Sequence, residues 1–134
     1  MYIFGGLSDT NTSFNDLWTL DLNTKTWSRP IADGTYPSPK ACATLISFRT
    51  SLILFGGYSH PYQYPVNQQV NFFDELHIYC TKTCTWKSKV NSLEAPKLAG
   101  HTVSIIDEDK MILFGGKLFW LKRNRIELEL IVSF

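Results

Sequence analysis

One pattern occurs three times in this chain, four apolar residues running into two glycines: Met1-Tyr2-Ile3-Phe4-Gly5-Gly6, Leu52-Ile53-Leu54-Phe55-Gly56-Gly57 and Met111-Ile112-Leu113-Phe114-Gly115-Gly116. A run apolar at every position predicts a strand covered on both faces, because a half-exposed strand would alternate with polar residues. The paired glycines predict a bulge or turn at the strand's end that a Cβ would obstruct. Repetition of the unit implies stacked sheets.

The copies set a period. Gly5 to Gly56 is 51 residues and Gly56 to Gly115 is 59, both near the ~50 of a four-stranded blade repeat. Phe14-Asn15-Asp16-Leu17-Trp18-Thr19-Leu20 and Phe73-Asp74-Glu75-Leu76-His77-Ile78-Tyr79 are also 59 apart, as are Trp27 and Trp86. The eight extra residues therefore lie in one loop, which holds seven residues at 7–13 and fifteen at 58–72. Residues 37–90 read as the complete unit: strand A over Ala41 to Phe48, B over Leu52 to Phe55, C over Glu75 to Cys80 and D from Trp86. Residues 1–30 supply a partial unit with B, C and D strands. Residues 95–116 supply the next A and B pair, turning at Asp107-Glu108-Asp109-Lys110. Residues 117–134 diverge, although Ile126, Leu128 and Leu130 alternate with Glu127 and Glu129 as a strand would. The basic cluster from Lys122 to Arg125 reads as a solvated end rather than a docking patch.

Charge narrows the partners. The net charge is +1, from 13 basic and 12 acidic residues, so there is no electrostatic footprint for nucleic acid or an anionic membrane. Cys42, Cys80 and Cys84 are odd in number and lack framework spacing, which predicts a reducing compartment, cytoplasmic or nuclear. No leader or membrane-length apolar segment is expected. Asn11-Thr12-Ser13 then reads as a chance match to the glycosylation tripeptide.

The full set of features resembles the kelch repeat: the double glycine, a large apolar residue, and a Trp seven positions later. Here these are Gly5-Gly6, Leu20 and Trp27, then Gly56-Gly57, Tyr79 and Trp86, with Gly115-Gly116 opening a further copy. The resemblance implies an all-β fold, a kelch-type β-propeller fragment of four-stranded antiparallel blades, with about two blades' worth of strands and no closure. Met1 aligns with Leu52 and Met111 in mid-blade, so the chain reads as part of a longer propeller or a truncated product. Phe14-Asn15-Asp16-Leu17-Trp18, Arg29-Pro30 and Tyr36-Pro37-Ser38-Pro39-Lys40-Ala41 are similar to the kelch region of F-box/kelch substrate receptors of the F-box only protein 42 type. So are Phe72-Phe73-Asp74-Glu75 and Ala99-Gly100-His101, and the similarity extends to about residue 116. It implies the substrate-binding half of a ubiquitin-ligase receptor, whose partner is the protein to be ubiquitylated. Skp1 and cullin would be reached only through an F-box, a segment that residues 1–134 do not supply. A kelch scaffold with a cytoskeletal or transcriptional role is the alternative, and a kelch-fold enzyme comes after it.

In an up-and-down sheet the B–C and D–A connections share one end of the blade, so the long loop should share a face with residues 28–39 and 87–98. Tyr58, His60, Tyr62, Tyr64 and Gln68, with Arg29 and Tyr36, are the candidate partner-binding residues. Tyrosines between prolines offer large contact area at modest entropic cost; the rings could equally fold back and cap the blade. Trp27 and Trp86 read as blade packing. Asp16, Asp74 and Glu75 read as caps bonding local backbone amides.

No cofactor is expected. His77, Cys80 and Cys84 are close in sequence, but His77 and Cys80 are an odd number apart on a strand and point to opposite faces. Cys42 and His101 read as equivalent strand-A positions of adjacent blades, filled for packing. There is no nucleophile elbow, phosphate loop or clustered acid pair, and no enzyme is expected.

Overall fold

The computed structural model describes residues 1–60, 70–89, 95–108, 110–118 and 127–131, with strands and no helix among them. The strands are β1 (Tyr2–Leu7), β2 (Ser13–Leu20), β3 (Trp27–Ser28), β4 (Asp33–Gly34), β5 (Thr44–Phe48), β6 (Ser51–Phe55) and β7 (Tyr58–Ser59). They continue as β8 (Asn71–Phe72), β9 (Leu76–Cys80), β10 (Thr85–Lys89), β11 (Leu98–Ile105), β12 (Lys110–Leu118) and β13 (Glu127–Ile131). Three sheets form the blades: β1-β2-β3, then β4-β10-β9-β6-β5, then β11-β12-β13, with β7 and β8 as a separate ribbon.

The middle sheet contains the four strands that the repeat predicts, β5, β6, β9 and β10, paired antiparallel in chain order. It also has a fifth strand. β4 lies parallel to β10, with Asp33 opposite Thr85 and Gly34 opposite Trp86. Nothing but glycine fits there, because a Cβ on Gly34 would come within 2.1 Å of the Trp86 carbonyl oxygen. The tail residues 127–131 pair antiparallel with β12, in the place of strand C.

Burial explains the unbroken apolar runs. Leu52 and Leu54 pack with Leu17, Tyr79 and Trp86 toward the first sheet, while Ile53 and Phe55 pack with Leu98, Met111 and Leu113 toward the third. Leu52, Ile53, Leu54 and Phe55, the four apolar residues of β6, are therefore all buried. In β12 only alternate residues are covered: Met111 and Leu113 face inward, and Ile112 and Phe114 remain 40% and 45% exposed. The same pattern of residues thus has two outcomes, set by whether a sheet stands on one side or on both.

The sheets meet through a hydrogen-bonded joint that repeats. Gly6 donates its N–H to Lys40 O (3.0 Å), and Lys40 donates its own to Phe14 O (2.9 Å). One blade on, Gly57 donates to Leu98 O (2.7 Å) and Leu98 to Phe73 O (3.1 Å). The second glycine of each blade and the aromatic residue that leads into its strand C thereby grip the residue that opens strand A of the next blade. The first glycine leaves the room: a Cβ on Gly5 would lie 2.4 Å from Lys40 O, and one on Gly56 2.6 Å from Leu98 O. Gly5 and Gly56 also have φ of 59° and 69°, a region that side chains resist.

One expectation, the equivalence of Cys42 and His101, is corrected by the register. Met111 faces Ile105 and Leu52 faces Ser47, so strand A is offset by 58 residues between the blades while strand B is offset by 59. His101 is therefore the counterpart of Ala43, and Cys42 is the counterpart of Gly100. Backbone angles agree, with φ of 53° at Cys42 and 68° at Gly100. His101 is buried against Phe55, its ring edge-on at 5.4 Å, and burial pushes its pKa down to about 4.

The Trp residues also diverge. Trp86 is 1% exposed, packed on Tyr79 and edge-on to Phe4 of the first sheet, whereas Trp27 is 47% exposed on a face that no other sheet covers among the described residues. Trp86→Ala should cost ~3–5 kcal/mol, and Trp27→Ala well under half of that. Urea denaturation of both variants checks this, and an unchanged midpoint for Trp86→Ala would contradict the packing. A second test uses pH. The unfolded His101 binds a proton near pH 6.5 and the folded one only near 4, so the unfolded state holds more protons between these values and stability falls as pH drops through them. His101→Phe should flatten that part of the stability-versus-pH curve.

Candidate functional site

The two ends of the lengthened loop build a wall. Tyr58 pairs with Phe72 and Ser59 with Asn71 to make the β7–β8 ribbon, where the first blade has only a short turn closed by Asn11 N–H to Ser8 O (3.1 Å). The ribbon is fixed at its root by three backbone hydrogen bonds. Tyr58 and Ala41 exchange backbone hydrogen bonds of 2.8 and 2.9 Å, and Phe73 N–H donates to Gly57 O at 2.9 Å. Its rings are packed together: Tyr58 lies 6.0 Å from Phe72 and 5.7 Å, edge-on, from His60.

Between this ribbon and the head of β11 lies a concavity of about 410 Å³, lined by Cys42, Tyr58, His60, Val70, Phe72, Ala99, Gly100 and Lys117. The floor is set by the joint between blades. Gly100 N–H donates to Cys42 O (2.9 Å) and Thr44 Oγ1 to His101 O (2.8 Å), so the two A strands lie side by side. Gly100 has open space where a side chain would stand. Lys117 follows the double glycine of its blade and so repeats the position of Tyr58, bridging Ala99 as Tyr58 bridges Ala41.

A buried polar group supports the site from behind. Lys40, with its side chain fully buried, donates to Glu75 Oε2 (2.6 Å) and sits 4.4 Å over the Phe73 ring, while Ser38 Oγ donates to Glu75 Oε1 (2.7 Å). Burial lowers the pKa of Lys40 against the opposing pull of Glu75. Burial also acts to raise that of Glu75, but the hydrogen bonds from Lys40 and Ser38 outweigh it and hold the carboxylate below its ordinary range. Glu75 is thus a strut between strand C and the approach to strand A, not a cap on local amides. Its counterpart Asp16 accepts from Trp18 Nε1 (2.7 Å).

The predicted partner residues separate. Tyr58 and His60 line the concavity; Tyr62, Tyr64 and Gln68 lie outside the described residues. Tyr36 packs over Trp86 at 6.5 Å instead. Arg29 follows Ser28, which pairs with Thr19 beside the C–D turn, and the chain then returns to set Asp33 against Thr85 at that same end. Residues 28–34 therefore do not join the loop face as a whole. Cys42, Val70, Phe72, Ala99, Gly100 and Lys117 were not singled out as contact residues. For Lys117 the signal was present, since an offset of 59 places it on Tyr58. Among the described residues no group of three or more His, Cys, Asp or Glu side chains could hold a metal ion.

Comparison with known proteins agrees with this architecture. The family described as "FBX42, beta-propeller domain" matches residues 1–130, reaching beyond the last double glycine into β13. Acyl-CoA-binding domain-containing protein 4 of Arabidopsis thaliana is 35% identical over 87% of the chain, which spans 16% of that protein. Tip elongation aberrant protein 1 of Schizosaccharomyces pombe is 31% identical over 88% of the chain and 10% of its own length. N-(sulfonatooxy)prop-2-enimidothioate sulfolyase of Thlaspi arvense is 31% identical over 87% of the chain and 32% of its own length. With three kelch-type sheets joined in phase and a family match along nearly all of its length, the chain belongs to the FBX42 β-propeller family.

Proposed function

We propose that this chain is the partner-binding part of a substrate receptor for a cullin-RING ubiquitin ligase, acting by protein contact and not by catalysis, in the cytoplasm or nucleus. The observation that carries the binding role is the concavity between the β7–β8 ribbon and β11, walled by aromatic side chains. Such rings give contact area with little conformational entropy to lose, and they are already packed together here. The ligase role rests on the family's description. A scaffold role is the second reading, favoured by the relative named for tip elongation.

The two differ in the fate of what is bound. Proteins captured by the full chain and lost with Tyr58→Ala would be followed by translation shut-off in cells with and without the gene. The ligase reading expects at least one captured protein to live longer when the gene is removed or neddylation is blocked. Unchanged half-lives for all of them would leave the scaffold and overturn the ligase role.

A further inference from the structure

We propose that the concavity between the β7–β8 ribbon and the head of β11 anchors a partner's peptide segment, seating one large apolar side chain beside a carboxylate that pairs with Lys117. The proposal rests on the protein-binding reading above and gives it a chemistry. The pocket has two unlike sides. Tyr58, Val70 and Phe72 form an apolar wall from the ribbon, and His60 and Lys117 stand with Cys42 among the lining residues. Among the described residues no acidic side chain lines it, and Lys117 has no ion-pair partner. A volume of about 410 Å³ is at the small end of the ~300–1,000 Å³ typical of ligand sites, room for one side chain and its flanking main chain.

The repeat isolates what is special here. The position after the double glycine is Leu7 in the first blade, Tyr58 in the second and Lys117 in the third. Among the described residues only the junction of the second and third blades sets an aromatic ribbon against an exposed cation. The same junction has glycine at position 100, with space above it, where the second blade has Cys42. The backbone groups beneath are already paired, Gly100 N–H with Cys42 O. Recognition therefore falls to the side chains of the pocket rather than to addition of a strand. Burying the anchor supplies affinity; the lysine, at the exposed end of its strand, selects among apolar segments by their neighbours.

The test uses the full chain and an array of short synthetic peptides, each with a central Phe, Leu or Ala flanked by Asp, Asn or Lys. Asp-flanked Phe or Leu peptides should bind, and the central Ala should weaken binding about tenfold or more. Lys117→Gln should weaken the Asp-flanked peptides about three- to fivefold, and Lys117→Glu should transfer the preference to the Lys-flanked ones. Cys42 reports occupancy directly: its alkylation by N-ethylmaleimide, followed by mass spectrometry of the Cys42 peptide, should slow when the peptide is bound. Equal binding of Asp- and Lys-flanked peptides, or unslowed alkylation of Cys42 in the complex, overturns the proposal. Binding that ignores Lys117 and Cys42 but is lost in Tyr36→Ala would place the partner elsewhere and keep the protein-binding reading. No binding by any peptide overturns the pocket, and the protein-binding reading then stands or falls on the captured proteins.

Discussion

The structure depends on a pair of hydrogen bonds at each junction between blades. The residue that opens strand A, Lys40 or Leu98, accepts from the second glycine of the preceding blade and donates to the carbonyl of Phe14 or Phe73. Each such bond contributes only ~0.5–1.5 kcal/mol net, but a buried N–H left without a partner would cost more. The chain reaches this geometry only because the first glycine has no Cβ and accepts a positive φ. In β6 the four apolar residues ahead of the glycines then fall between two sheets, and burial of such residues supplies the main driving force.

That joint also makes the candidate site. By tying Leu98 to Gly57 and Phe73, it brings the head of β11 against the root of whatever loop follows Gly57. In this chain the loop is eight residues longer than its counterpart and carries the β7–β8 ribbon, so an aromatic wall stands beside the start of the next blade. The Lys40–Glu75 pair stiffens the same region from within. Its buried ammonium is tolerated because the carboxylate, the Phe73 ring and the Ser38 hydroxyl's bond to Glu75 form one connected group.

Much of the fold was legible because it is written three times. The phase of the double glycines, Leu20 with Trp27 and Tyr79 with Trp86 gave the strands, their order and the place of the inserted loop. What escaped has physical reasons. β4 is a two-residue parallel pairing from a segment without alternation, so no periodicity marks it. The turn between β11 and β12 is one residue longer than that between β5 and β6, which moved the counterpart of His101 from Cys42 to Ala43. Trp27 and Trp86 occupy the same place in their blades, and only the presence of a neighbouring sheet separates an exposed ring from a buried one. The site was half legible. Tyr58 and His60 could be read from the insertion, but the opposite wall comes from residues more than 35 positions away that only the joint brings near.

The most direct measurement is amide hydrogen exchange, resolved by residue, on the full chain. If the joint holds the blades together, the N–H groups of Gly6, Lys40, Gly57 and Leu98 should exchange at least about a hundredfold more slowly than those of an unstructured peptide, and in step with the core strands. Exchange of Gly57 and Leu98 at the rate of an open turn, while β6 and β9 stay protected, would contradict it: the sheets would then be stacked by apolar contact alone.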